Sequence, residues 1–254
     1  MNNESQLKFL LGEDTDGNKV YGDFRQTGHF VSCGHVGSGH ASYDEGAFVM
    51  SLLQDYSSEY LKFIMIDPKQ VQLNPYEGIP HLLAPVAYTP DDAKAAVNLL
   101  LDELGRRLEL FSQSGVNDIE SYNEQFAERL PYIVLLATEI ADLMMIDRPF
   151  YQGSFISLAM KARAVGIHMY LATQRPSADV FSDELLANIS GHIAFAVASE
   201  VDSQRLLNQA GAELITKVGE LLFRDAATGQ TTRIRASYAS DEEILRKAEQ
   251  LKQS

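Results

Sequence analysis

Basic side chains are scarce in this chain of 254 residues: 21 Lys and Arg stand against 35 Asp and Glu, a formal charge of −14, and no Lys/Arg cluster stands out. Non-specific nucleic-acid affinity comes mainly from cations that neutralise phosphates, so a single copy is expected to bind DNA poorly on charge alone, though contact through a few loops stays open. Cysteine is almost absent: Cys33 is the only one, which excludes an internal disulfide and fits a reducing compartment. Long apolar runs are missing too. Ile133 to Ala137 is typical of the longest, far short of a membrane span, and no signal peptide is visible, because Met1 to Gln6 is polar and Phe9 to Leu11 is too short. The expectation is a soluble, cytoplasmic protein. No internal repeat or low-complexity segment appears, and 45% hydrophobic residues suffice for one large domain or a domain with a small appendage.

In chain order, Leu7 to Leu11 and Lys19 to Asp23 flank a turn-rich stretch and read as a β-hairpin, a lead-in segment over 1–28. Phe30 to Cys33 reads as a buried strand, and Ser42 to Tyr56 as a helix with Ala47, Phe48, Met50 and Leu52 available for its inner face. Leu61 to Asp67 is a second strand. Thr89-Pro90-Asp91-Asp92 predicts a helix start, with a hydroxyl cap, proline in the first turn and acids at the positive end of the dipole. Ala93, Val97, Leu100, Leu104, Leu108 and Phe111 recur at helical spacing up to a stop at Gly115. Asp118 to Glu128 is a more polar helix, Tyr132 to Ala137 a strand, Phe150 to Ala164 a helix and His168 to Thr173 a strand. Ser182 to Ile189 and Asp202 to Gln209 are helices around a strand at His192 to Ala198. Leu221 to Arg224 and Thr231 to Arg235 flank Asp225 to Gly229 as a last hairpin, and Ser240-Asp241-Glu242-Glu243 is a capping box.

Strands alternating with helices predict an α/β domain with a mainly parallel central sheet flanked by helices, over 29–254. Ligands in such sheets sit at the carboxyl ends of the strands, where Gly34, Asp67, Glu139 and Gln174 would converge. The stretch Gly34-His35-Val36-Gly37-Ser38-Gly39-His40-Ala41 has the outline of a phosphate-binding loop. That pattern ends in Gly-Lys-Ser/Thr, with Lys on the terminal phosphates and the hydroxyl on magnesium. Here His40 and Ala41 stand at those positions. His29, Cys33, His35 and His40 carry good zinc donors, but their spacing matches no closed site and no metal is assigned. Asp67 and Lys69 read as a solvated pair or turn residues.

Phe63-Ile64-Met65-Ile66-Asp67-Pro68-Lys69, Tyr76-Glu77-Gly78-Ile79-Pro80-His81-Leu82-Leu83, Lys161 to His168, Ala172-Thr173-Gln174-Arg175-Pro176-Ser177 and Gln209-Ala210-Gly211-Ala212-Glu213 together resemble the motor domain of the FtsK/SpoIIIE family of DNA translocases. The resemblance runs from about Leu11 to Arg235. It implies a RecA-like P-loop ATPase that uses ATP and Mg2+, assembles as a hexameric ring, and pumps double-stranded DNA for chromosome segregation or transfer. By resemblance, Glu139 stands at the water-activating base and Gln174 at a sensor of the terminal phosphate, Arg163 lies near a subunit boundary, and the chain is a bare motor lobe.

The departures from the family lie at the chemical positions. Besides His40 and Ala41, the magnesium-side strand ends in Thr138-Glu139 where the family has Asp-Glu. His192 and Gln204, the latter just before Arg205, stand near positions where arginines are usual. Phosphoryl transfer is catalysed mostly by positioning and charge neutralisation, so losing the lysine and both magnesium ligands should leave little turnover. Backbone N–H groups from Val36 to His40 and the helix dipole would still attract a phosphate. The reading favoured is a hydrolysis-deficient motor domain, a pseudo-ATPase with weak ATP binding at Gly34 to Ala41, that still forms a ring. Its alternatives are an active ATP-driven translocase with a protonated His40 beside the phosphates, and a protein-interaction module without nucleotide.

Overall fold

The computed structural model describes residues 6–225 and 228–253. One sheet of nine strands organises it: β1 (Lys8–Asp14), β2 (Lys19–Asp23), β3 (Phe30–Cys33), β4 (Leu61–Ile66), β5 (Tyr132–Ala137), β6 (Ile167–Thr173), β7 (Gly191–Ala194), β8 (Glu220–Asp225) and β9 (Thr231–Ala236), in the order β2-β1-β9-β8-β7-β3-β6-β5-β4. The five strands from β7 to β4 run parallel; β8, β9, β1 and β2 extend them as an antiparallel wing. The N-terminal hairpin is therefore joined to the sheet through β1 and β9, with Gly12 opposite Ala236. Within the final hairpin's turn, Ala226 and Ala227 lie outside the described residues.

The parallel strands are buried at almost every position, as their near-continuous apolar sequence requires. Helices cover them: α1 (Phe24–Thr27), α2 (His40–Ser42), α3 (Phe48–Asp55), α4 (Pro90–Ser114), α5 (Ile119–Gln125), α6 (Ile140–Lys161), α7 (Asp183–Ala187), α8 (Glu200–Leu207) and α9 (Asp241–Lys252). A π-helical turn at Tyr43–Ala47 joins α2 to α3, so the helix after β3 is continuous but locally widened.

Caps explain most boundaries. Thr89 and Asp92 form a reciprocal capping box at α4, which ends at Gly115 in the left-handed conformation (φ 71°), and Ser240 with Glu243 does the same at α9. On α4 the buried face includes Arg107 and leaves Leu108 41% exposed, against the apolar spacing. Arg107 is accommodated by Glu103 at 2.7 Å and by donating to the Val165 carbonyl at 2.9 Å. The helix expected from Phe150 begins ten residues earlier. α6 is two helices meeting at Asp147 (φ −150°, ψ 73°), whose carboxylate accepts the Phe150 N–H and holds Lys94 at 2.9 Å. Asp147 thus caps the second half, with Pro149 in its first turn.

Candidate functional site

Cys33 lies opposite Thr173 of β6 and Ala194 of β7, so β3 delivers Gly34 to the carboxyl edge between two parallel neighbours. Gly34 donates its N–H to the Thr173 carbonyl, and His35 to that of Ala196. A Cβ on Gly34 would sit 2.6 Å from Ser38 Oγ and 2.7 Å from Phe195 Cβ, so this position has no room for a side chain. Gly37 and Gly39 are left-handed (φ 86° and 91°), and Gly39 packs against Gly219, whose N–H donates to the Ser38 carbonyl at 2.9 Å. The Ser38 N–H is used internally on His35, and His40 N–H makes a long 3.4 Å contact with Ser38 Oγ. Among the described residues, the N–H groups of Val36, Gly37 and Gly39 have no acceptor, and Val36 and His35 are exposed. The backbone keeps the form of an anion cradle at the start of a helix.

The side chain of His40 does not line that cradle. It is 5% exposed and reaches into the core, with Nε2 2.7 Å from Asp44 Oδ2 one helical turn on. The contact is an ion pair by distance, with the N–H poorly aimed for a hydrogen bond. Asp44 is 1% exposed, and its other oxygen accepts from Ser32 Oγ at 2.9 Å and from the Tyr170 hydroxyl at 2.5 Å. Burial alone would push the imidazole down, but the Asp44 carboxylate, with help from the Ser32 backbone and the Glu139 charge, outweighs it and raises His40 above the ordinary histidine value. Ala41 is exposed and offers no oxygen.

Thr138 and Glu139 follow β5 on the same edge. Thr138 is buried, and its hydroxyl donates to the Ile66 carbonyl at 3.2 Å, so it is spent on the neighbouring strand. Glu139 takes a left-handed backbone (φ 47°, ψ 50°), sparsely populated for a residue other than glycine, and its carboxylate lies 2.8 Å from Lys69 Nζ. Asp67 is a turn residue: its buried carboxylate accepts the backbone N–H groups of Lys69, Gln70, Val71, Gln72 and Leu73, which fixes the loop carrying Lys69. Burial, with the charges of Asp44, Asp67 and Glu139, pushes the Glu45 carboxyl up to about 9, so it is neutral at physiological pH. Gln174 is half-buried after β6, and no hydrogen bond of its side chain is found among the described residues.

The edge therefore brings together Gly34 to Ala41, Asp67, Glu139 and Gln174, as the strand ends suggested. It does not gather His29, Cys33, His35 and His40: His29 lies at the opposite end of β3, and His35 faces its neighbour's Val36 carbonyl. No group of three metal-ligating side chains occurs among the described residues. His192 points inward, its ring nitrogens at the Ile189 and Leu206 carbonyls, and Arg163 donates to the Arg25 and Gln26 carbonyls of its own chain. The residues missed from sequence are Asp44, Ser32 and Tyr170. The i,i+4 spacing of His40 and Asp44 was a readable signal; Tyr170, 126 residues from Asp44, gave none.

A five-stranded parallel core with a glycine loop between an interior strand, β3, and the following helix defines a RecA-like P-loop domain. The FtsK/SpoIIIE family model matches residues 1–178, and the chain belongs to that family. DNA translocase FtsK of Oceanobacillus iheyensis is 41% identical over 255 residues, covering 96% of this chain and 32% of its own length. DNA translocase SftA of Bacillus subtilis is likewise 41% identical over 248 residues, covering 96% of this chain and 26% of its own. The chain spans about a third or less of these relatives. Among solved structures, the pCW3 conjugation coupling protein TcpA, a monomer form with ATPγS, superposes with a TM-score of 0.84 at 27% identity, covering 98% of this chain and 72% of that one. No helix among the described residues is long and apolar enough to cross a membrane.

Proposed function

We propose that this is a DNA translocase motor domain of the FtsK/SpoIIIE type that has lost hydrolysis and retains a weak, metal-independent nucleotide site and ring assembly. The observation that carries the reading is the direction of His40. The side chain at the lysine position is paired with Asp44 inside the core, 2.7 Å away, while Ala41 has no oxygen and the Thr138 hydroxyl is bonded to Ile66. Neither the cation nor the metal ligands of phosphoryl transfer face the loop. The backbone cradle, by contrast, keeps three unpaired N–H groups, and ATPγS accompanies the TcpA relative. By family resemblance Glu139 and Gln174 would stand at the base and sensor positions, beside a metal position where Ala41 and Thr138 replace the usual ligands.

Ring assembly has separate support. Val36, Val218, Val201 and Leu214 are between 69% and 79% exposed, and Val36 and Val218 flank the loop, where a neighbouring subunit would cover them. Double-stranded DNA would then be met by an assembly, because the charge of −14 disfavours binding by one copy. The expected result is ATP binding of unchanged affinity with and without magnesium, and no turnover above background with or without double-stranded DNA. Magnesium-dependent turnover that Glu139→Gln abolishes would sink the proposal. One observation favours a second reading, an active motor using an imidazolium: against the opposing effect of burial, the Asp44 carboxylate raises His40 above the ordinary histidine value. That reading requires turnover that rises as pH falls.

A further inference from the structure

We infer that Asp44 is a positioning residue that acts through His40: it is an internal counter-ion occupying the contact a phosphate would make with the loop's cation, so a phosphate-like anion is held by backbone N–H groups alone. This rests on reading Gly34 to Ala41 as an anion cradle.

Three features carry it. Both members are buried, at 5% and 1% exposure, so the pair is desolvated and its attraction is not screened as a surface pair would be. Asp44 is also fixed from outside its own helix. Ser32 on β3 and Tyr170 on β6 both donate to Oδ1, which leaves Oδ2 aimed at the imidazole and prevents the carboxylate from following His40 outward. Finally, Asp44 lies in the π-helical turn at Tyr43–Ala47, a local widening of the kind found where a helix carries a functional group.

The surroundings leave Asp44 as the anion that matters. From β3, the Ser32 backbone faces the ring; from the segment after β7, Phe195 packs edge-on with its centroid 5.6 Å away. Glu139, from the end of β5, acts at longer range and is itself paired with Lys69. The Cys33 thiol and the Tyr43 and Tyr170 hydroxyls are pushed well up, chiefly by burial, and remain uncharged. An incoming phosphate oxygen must therefore compete with a preorganised carboxylate before it reaches the His40 Nε2. The same carboxylate would capture a lysine placed at position 40, so restoring the family residue there would not by itself restore the family contact.

The test is a chemical-shift titration of the intact chain with inorganic sulfate, whose charge is constant from pH 5.5 to 8, at fixed ionic strength, following the loop amides and the His40 ring. For the unaltered protein the ring titrates above the ordinary histidine value, and sulfate affinity changes less than about threefold over the range. In Asp44→Asn the buried ring loses its counter-ion and titrates below that value; sulfate binding then takes up a proton and strengthens toward tenfold per pH unit as pH falls, the limit for one linked proton. The pH dependence disappears again in Asp44→Asn with His40→Gln, and Asp44→Glu restores the flat profile. Sulfate affinity in the unaltered protein that rises about tenfold per unit overturns the inference without any variant, should Asp44→Asn fail to fold. A flat profile in both proteins with sulfate bound overturns the Asp44 assignment alone. Sulfate bound by neither sinks the cradle reading and this inference with it.

Discussion

His29 and His40 stand at opposite ends of the same strand, both buried, and their environments drive them in opposite directions. His29 precedes β3; its Nδ1 accepts the Met169 N–H at 3.0 Å, and burial with the Arg163 charge pushes its pKa down to about 4. Its neighbour His168, with ring centroids 6.0 Å apart, is driven by burial to about 3. His40, beyond β3, is raised because a carboxylate has been placed beside it. The amino end of the strand thus tolerates only neutral imidazole, as an ordinary core does. The loop end instead sets a carboxylate from within the chain 2.7 Å from the buried imidazole, which favours the charged ring there.

The largest effect should come from the amino end. A base whose folded pKa is lowered binds fewer protons than it does unfolded, so His29 and His168 contribute stability above about pH 6.5 that is lost as pH falls toward 4. Urea denaturation should show a loss of roughly 5 kcal/mol across that range. His168→Asn, which can keep the bond to the Gly28 carbonyl, should flatten the slope; an unchanged slope would remove these histidines from the account. His40 has the opposite sign: its folded pKa is raised, so its contribution is present below about 6.5 and lost as pH rises through the raised value.

Breaking the loop-end pair comes next. Asp44→Asn should cost about 3 kcal/mol, because removing one partner leaves the other charge or an unpaired ring in the core. A loss under about 1 kcal/mol in the same denaturation would mean that water reaches the pair and that the contrast between the two ends is overstated.

The parts of this edge that were legible in the sequence are those set by local rules. β5 was bounded to the residue by an apolar run between Pro131 and Thr138, and α4 by its hydroxyl cap, first-turn proline and Gly115. The convergence of Gly34, Asp67, Glu139 and Gln174 followed from the alternation of strands and helices, which puts successive strand ends on one side. What escaped was set by tertiary contact. The first half of α6 was missed because its start at Glu139 has a left-handed residue and no side-chain cap, and the Asp147-Pro149 cap signal belongs to its second half. Arg107 was hidden because its burial depends on Val165, 58 residues away. The hold on Asp44 was hidden for the same reason, although its i,i+4 spacing from His40 was readable: Ser32 and Tyr170 sit on two strands.

Gly34 tests whether the loop end is packed as tightly as the amino end. An alanine Cβ would come within 2.8 Å of Ser38 Oγ, Phe195 Cβ and His40 Cβ together, and two of those three belong to side-chain stems that cannot swing aside. The expected cost of Gly34→Ala is about 2 kcal/mol, with the His40 ring displaced from Asp44 and its titration lowered accordingly. A variant as stable as the parent, with His40 titrating as before, would show that the loop relaxes freely and that the inward course of His40 is not imposed by the backbone.

The smallest effect separates buried from solvated charge on the same edge. Lys69 and Glu139 are as close as His40 and Asp44, at 2.8 Å against 2.7 Å, but the Lys69 side chain is 44% exposed. Solvent screens the pair, and the side-chain entropy of Lys offsets much of what remains, so Lys69→Met should change stability by less than about 1 kcal/mol and the difference should shrink further in salt. The loop that carries Lys69 would be unaffected, since Asp67 holds it through five backbone N–H groups. If that expectation holds, the Lys69–Glu139 contact contributes little to folding, and Glu139 is free to exchange Lys69 for a ligand in a way Asp44 cannot exchange His40. A loss above about 2 kcal/mol would place both pairs in one desolvated network and erase the distinction.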